Sequence, residues 1–166
     1  AGSRVAIESV RLMTAREDRL KEASGQQWSG LAGIYRASLA EKTPEAIRIP
    51  LRALPPQASL EFAIGTPEDA PVHFKLSLTP RDGPRDAAAS VLFERTVTIP
   101  NRWQTVRLDL SSYSGRSVLL EFAVSGDGKG LWGYWGAPVV RTYPAATPAQ
   151  PAPAAARSEE HTSELQ

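Results

Sequence analysis

From about Ile34 onward, apolar and polar residues alternate with a period of two. Ile47, Ile49 and Leu51 alternate with Arg48, Pro50 and Arg52. Leu60, Phe62 and Ile64 form a second run, and Val72, Phe74, Leu76 and Leu78 a third. Val106, Leu108 and Leu110, then Val118, Leu120, Phe122 and Val124, repeat the pattern. Successive side chains of a strand point to opposite faces, so such runs predict strands with one buried and one wet face. Val91–Ile99 reads as a further strand, with Arg95 on its apolar parity, which predicts a bulge or a switch between sheets there. Breakers separate the runs: Leu54-Pro55-Pro56, Gly65-Thr66-Pro67, Pro80 to Pro84, and Ser125-Gly126-Asp127-Gly128. The gaps are too short for crossover helices, which excludes a parallel α/β fold. The expected class is all-β, a two-sheet antiparallel jelly-roll-like sandwich with a short N-terminal helix.

That helix is expected within a segment spanning 1–30. Val5, Ile7, Val10 and Leu12 alternate in part and read as a strand. Thr14 and Glu17 then have the spacing of a capping box, in which each side chain satisfies the other's orphan backbone N–H. Ala15–Ala23 follows as a helix, ended by Ser24-Gly25. The sandwich is expected over 31–142. Residues 143–156 are dense in Pro and Ala, a composition that makes stiff, extended spacers, and a downstream domain is expected beyond them.

Residues 157–166, Arg-Ser-Glu-Glu-His-Thr-Ser-Glu-Leu-Gln, resemble the translation of a DNA-sequencing adapter and are read as a non-native tail. The chain starts at Ala1, so a piece of a larger protein is expected. The tail holds one arginine and three glutamates, and without it the net charge rises from +1 to +3. With no cluster of basic residues, that charge does not point to nucleic acid. There is no cysteine, which excludes disulfides, thiol nucleophiles and Cys-ligated zinc. No apolar run is long enough to span a bilayer as a helix.

Catalytic chemistry finds little purchase. One of the two histidines, His161, is in the tail, and His73 sits on the polar parity of its strand. A lone imidazole makes neither a triad nor a His-based metal centre. Glu68-Asp69, Asp82 and Asp86 fall in turns and read as solvated loop charges rather than an acid–base pair. Asp127 is a conceivable loop ligand for calcium, but an ordinary turn is the stronger reading. Gly126, Gly128 and Gly130 lack the Lys-Ser/Thr helix start of a phosphate loop. The chain is expected to be no enzyme and to hold no cofactor or metal.

Two segments carry a family resemblance: Trp103–Phe122, with Asp109-Leu110-Ser111, Tyr113 and Gly115, and Leu131-Trp-Gly-Tyr-Trp-Gly-Ala-Pro-Val-Val140. Together they resemble the end of a galactose-binding-like jelly-roll sandwich. More narrowly, they resemble the accessory domain that precedes the catalytic domain of bacterial sulfatases. The resemblance implies a non-catalytic domain that packs on or positions a sulfatase-type hydrolase domain of the same polypeptide. It also implies a location outside the cytoplasm or in the cell envelope. The alternative is a carbohydrate-binding module of an extracytoplasmic hydrolase, with polysaccharide as partner. Its candidate residues are Trp132 and Tyr134, which share a face of the last strand while Trp135 points the other way. Exposed rings stack on the C–H faces of sugars. The competing structural role has Trp135 and Trp103 plugging the ends of the sandwich. Pro138 predicts that this strand lies at an edge or is bulged there. Surface chemistry separates the readings: a packing domain shows a large apolar patch, a module a compact aromatic groove.

Overall fold

The computed structural model describes residues 22–83 and 88–143. Among the described residues, nine strands form two antiparallel sheets: β1 Gly25–Leu31, β2 Ile34–Lys42, β3 Glu45–Leu51, β4 Ala58–Gly65, β5 Val72–Pro80, β6 Ser90–Val97, β7 Gln104–Asp109, β8 Val118–Ser125 and β9 Trp132–Thr142. The five-stranded sheet has the order β1-β2-β9-β4-β7 and the four-stranded sheet β3-β8-β5-β6. One short 3-10 helix, Ser111–Tyr113, links β7 to β8. The expected two-sheet sandwich is therefore present. The predicted capping box, N-terminal strand and most of the predicted helix lie outside the described residues, as do the spacer beyond Tyr143 and the tail. Glu22 and Ala23, expected as the helix end, are not helical. The sandwich starts at Gly25 rather than at residue 31, because β1 is a full partner of β2.

The alternating runs bury the residues they should. Leu60, Phe62, Ile64, Phe74, Leu76, Leu78, Leu120 and Phe122 join one core between the sheets. Trp135 stands at its centre, with ring centroids 5.1 Å from Phe74, 5.1 Å from Phe122 and 5.4 Å from Phe62. It is a core residue and not an end plug. Leu110 is buried and closes β7 on this core. Gly115 then turns the chain at φ +74°, a left-handed conformation that suits glycine, and its N–H donates to the Leu54 carbonyl at 2.7 Å.

One of two irregularities differs from the sequence reading. Arg95 stays in register opposite Phe74, and the slip falls earlier, where Leu76 and Ser77 face Phe93 and Val91. The Arg95 guanidinium instead lies over the Phe93 ring at 5.3 Å and covers the sheet edge. The Pro138 region is bulged as expected: the pairing with β4 slips between Glu61 and Ala63, and Ala137 has φ 48°. Up to Gly136, however, β9 is central, held between β2 and β4.

At the exit of β9, Glu61 accepts hydrogen bonds from the Tyr143 hydroxyl and from Arg141 Nε at 2.9 Å. The Arg107 guanidinium covers the Tyr143 ring at 3.8 Å. The Tyr143 hydrogen bond, then Arg141, hold the Glu61 carboxyl below the usual carboxylate range.

Candidate functional site

Trp132 and Tyr134 do share a face, but that face is closed. They are 1% and 4% exposed and form a second cluster with Leu31 and Ala40 on the outer side of the five-stranded sheet. Trp103 packs against this cluster and does not plug the sandwich. Its Nε1 donates to the Ile34 carbonyl at 2.9 Å. The Trp132 backbone is pinned too: Thr66 Oγ1 donates to its carbonyl at 2.6 Å, and its N–H donates to Glu68 Oε1 at 3.3 Å. Rings so buried offer no platform to a sugar. Glu68, expected as a solvated loop charge, is a buried lock for β9.

The remaining candidates stay apart. The Asp82 carboxyl is held below its usual range by the Arg116 guanidinium, which donates at 2.8 Å, and it also accepts from the Ser117 amide. His73 lies on the outside of β5, where its ring nitrogens meet Glu94 at 2.9 Å and Thr96 at 3.0 Å. Asp127 is exposed in its turn, and Asp86 lies outside the described residues. Among the described residues no three His, Cys, Asp or Glu side chains gather as a metal site. Nor is any helix among them long and apolar enough to cross a membrane.

The exposed aromatics are elsewhere, on the β1–β2 hairpin. Trp28 is 73% exposed and Tyr35 69%. The hairpin closes through Ala32 and Gly33, both at positive φ, between the paired Leu31 and Ile34. Trp28 pairs with Ala37 and Gly30 with Tyr35, so the two aromatics share one face of the ribbon. The Tyr35 ring lies flat over Gly30, where a Cβ would stand only 2.5 Å from its Cε1. The ring thus occupies the position next to Trp28 on the same side of β1, about 7 Å along the strand. Cross-sheet contacts of the hairpin run from β2 to β3 and β8, leaving β1 overhanging the smaller sheet.

Trp28 borders an open groove of about 330 Å³, lined also by Gln26, Gln27, Ala37, Ser38, Leu39, Ala137 and Pro138, with Tyr35 outside the lining. No lining residue is charged. Two glutamine amides supply donors and acceptors, while the Trp28 ring and the aliphatic floor supply apolar surface. Such a surface can stack a sugar ring and bind its hydroxyls, but it has no group for bond cleavage. Sequence reasoning missed this site because Gly25–Leu31 shows no period-two alternation. The available signal was Trp28 four residues before, and Tyr35 two residues after, the Ala32-Gly33 turn, spacings that put both on one face of a hairpin.

No family model matches the chain, and no curated protein matches it. Solved structures do. The K1 cleaved adhesin domain of Lys-gingipain from Porphyromonas gingivalis W83 matches with a TM-score of 0.52 and 13% identity, over 72% of this chain and 82% of that one. That likeness shows a shared fold. The CBM22-1 xylan-binding domain of Paenibacillus barcinonensis Xyn10C matches with a TM-score of 0.49 and 18% identity, over 76% and 92%. TmCBM61, solved with β-1,4-galactotriose, matches with a TM-score of 0.47 and 15% identity, over 66% and 71%. The expected sulfatase parentage gains nothing from these comparisons.

Proposed function

We propose that this domain is a carbohydrate-binding module and that its sugar site is the Trp28–Tyr35 groove. One observation carries the reading: two large, exposed rings lie side by side on a hairpin beside glutamine amides. An exposed Trp costs solvation and earns nothing for the core, so its place on a rigid ribbon favours a ligand role. The other large exposed apolar residues do not extend it into a broad patch. Ile34 is on the same hairpin but on the opposite face of the ribbon, and Val91, Ile99 and Val139 lie on β6, on the loop after it, and on β9 beyond the bulge. A compact aromatic groove favours the module over a domain whose role is packing.

The uncharged lining favours neutral polysaccharide. With no cation to meet a sulfate ester, the groove favours a parent acting on neutral glycans over a sulfatase-type one. The module would hold a hydrolase domain of the same polypeptide on its substrate, outside the cytoplasm where polymeric glycans are met.

Titration with neutral and sulfated polysaccharides, followed by Trp fluorescence and calorimetry, tests this. Neutral polymer is expected to bind. Trp28→Ala is expected to lower affinity at least tenfold, about 1.4 kcal/mol or more. Gly30→Val, which lifts the Tyr35 ring, should weaken binding severalfold with the fold intact. Affinity unchanged in Trp28→Ala, or no neutral glycan bound, would overturn the assignment.

A further inference from the structure

Where the chain passes from β6, an edge of the smaller sheet, to β7, an edge of the larger one, it leaves an open cleft of about 530 Å³. The lining is Arg95, Ile99, Arg102, Trp103, Gln104 and Thr105. This cleft differs from the hairpin groove in charge. Arg95 and Arg102 are exposed, and no carboxylate lines the cleft. Neither guanidinium is in an ion pair among the described residues. A third cation, the Arg36 guanidinium, lies 5.5 Å from the centre of the Trp103 ring. The parts are held in place. Arg95 donates to Gln104 Oε1 at 3.3 Å and lies over the Phe93 ring, which orients its fork. The bond from Trp103 Nε1 to the Ile34 carbonyl fixes the indole, whose ring packs on Gly136, where a Cβ would stand 2.7 Å from Cζ3. The loop itself is pinned at Asn101, whose N–H donates to the Thr66 carbonyl at 2.8 Å. Parts ordered in advance lose less freedom when a ligand arrives.

We propose that this cleft is a second glycan site, taking a sugar that carries an anionic group, a carboxylate or a sulfate ester. Both groups match the planar guanidinium fork and accept two parallel hydrogen bonds from it. The half-buried Trp103 ring and Ile99, 55% exposed, give an apolar surface for the C–H face of the sugar. Gln104 and Thr105 supply donors and acceptors for its hydroxyls. Cations gathered about one cleft without a counter-charge repel one another, and a bound anion relieves that repulsion. On the glycan-binding reading above, on which this site rests, the favoured polymer carries both neutral and acidic sugars. The hairpin groove reads the neutral ones and the cleft the acidic ones.

Titrating the isotope-labelled full chain with a neutral galacto-oligosaccharide, the matching galacturonate and a sulfated form separates the two sites. The indole N–H signal of Trp103 is expected to shift with an acidic oligomer, and that of Trp28 with the neutral one. Arg102→Gln should weaken acidic binding about fivefold or more, and Arg95→Gln with Arg102→Gln about twentyfold or more, with neutral binding unchanged. Raising NaCl from about 50 to about 500 mM should weaken acidic binding severalfold and leave neutral binding as it was. Which acidic oligomer binds decides between carboxylate and sulfate ester. Acidic oligomers that bind Trp28→Ala no more tightly than the neutral one does would overturn the proposal, as would equal affinity in Arg102→Gln. Inorganic sulfate bound as tightly as the sulfated oligomer would overturn it too, leaving an adventitious ion only. Acidic binding that persists where no neutral sugar binds would sink the hairpin groove instead.

Discussion

Glu41→Gln is expected to stabilise the domain above neutral pH and to flatten its stability profile. Glu41 lies on the inner side of β2, one alternation along from Leu39, and is fully buried. Neither carboxylate oxygen has a hydrogen-bond partner. Burial in the sandwich pushes its pKa up from 4.5 to about 8. The nearby Ile47 and Val124 amides pull it down a little, and the Glu45 and Glu121 carboxylates add to the rise. The folded chain therefore keeps the proton that the unfolded chain has released. Between pH 4.5 and about 8 the unfolded state binds fewer protons, so stability falls as pH rises through that window. A shift of this size corresponds to a loss on the order of 5 kcal/mol. That is a large part of a typical domain's 5–15 kcal/mol, using the usual range of about 0.1 kcal/mol per residue. Glutamine keeps the shape and cannot ionise. Melting curves from pH 5 to 9 should show the wild-type midpoint dropping by roughly 10 °C, and the variant's far less. Equal slopes in the two proteins would mean that other groups govern the profile.

Trp135→Ala is expected to be the most destabilising single change in the core. The ring is fully buried and meets Phe62 of its own sheet and Phe74, Phe93 and Phe122 of the facing one. Truncation removes a large apolar area and leaves a cavity that four other rings cannot collapse into without losing their edge contacts. A cost of about 3–5 kcal/mol follows. Trp135→Phe should cost much less. It leaves a smaller void and removes an indole N–H that has no partner in the core. Urea unfolding of the two variants separates these effects. Equal costs for alanine and phenylalanine would overturn the argument from cavity volume.

Much of this architecture was legible in the residues. Where one face of a strand is core and the other water, as in Val118–Val124, alternation states both element and orientation. Gly115 and Leu110 could be read because a tight return and a core-closing residue have local signatures. The β1–β2 hairpin could not be read that way. Its serines at 29 and 38 are buried while its tryptophan faces solvent, so composition pointed away from its true orientation. The aromatic site failed for a related reason. Alternation showed that Trp132 and Tyr134 share a face, but not which face of the sheet is wet. That depends on what covers it, and burial is set by tertiary partners beyond the strand itself.

The placement of β9 has a mechanical consequence. Tension entering at Tyr143 first meets the Glu61 clamp and then runs along a strand bonded on both flanks. Pulling would load the hydrogen bonds to β4 and β2 in shear, many at once, rather than peeling them singly. A chain drawn from that end should yield abruptly at high force.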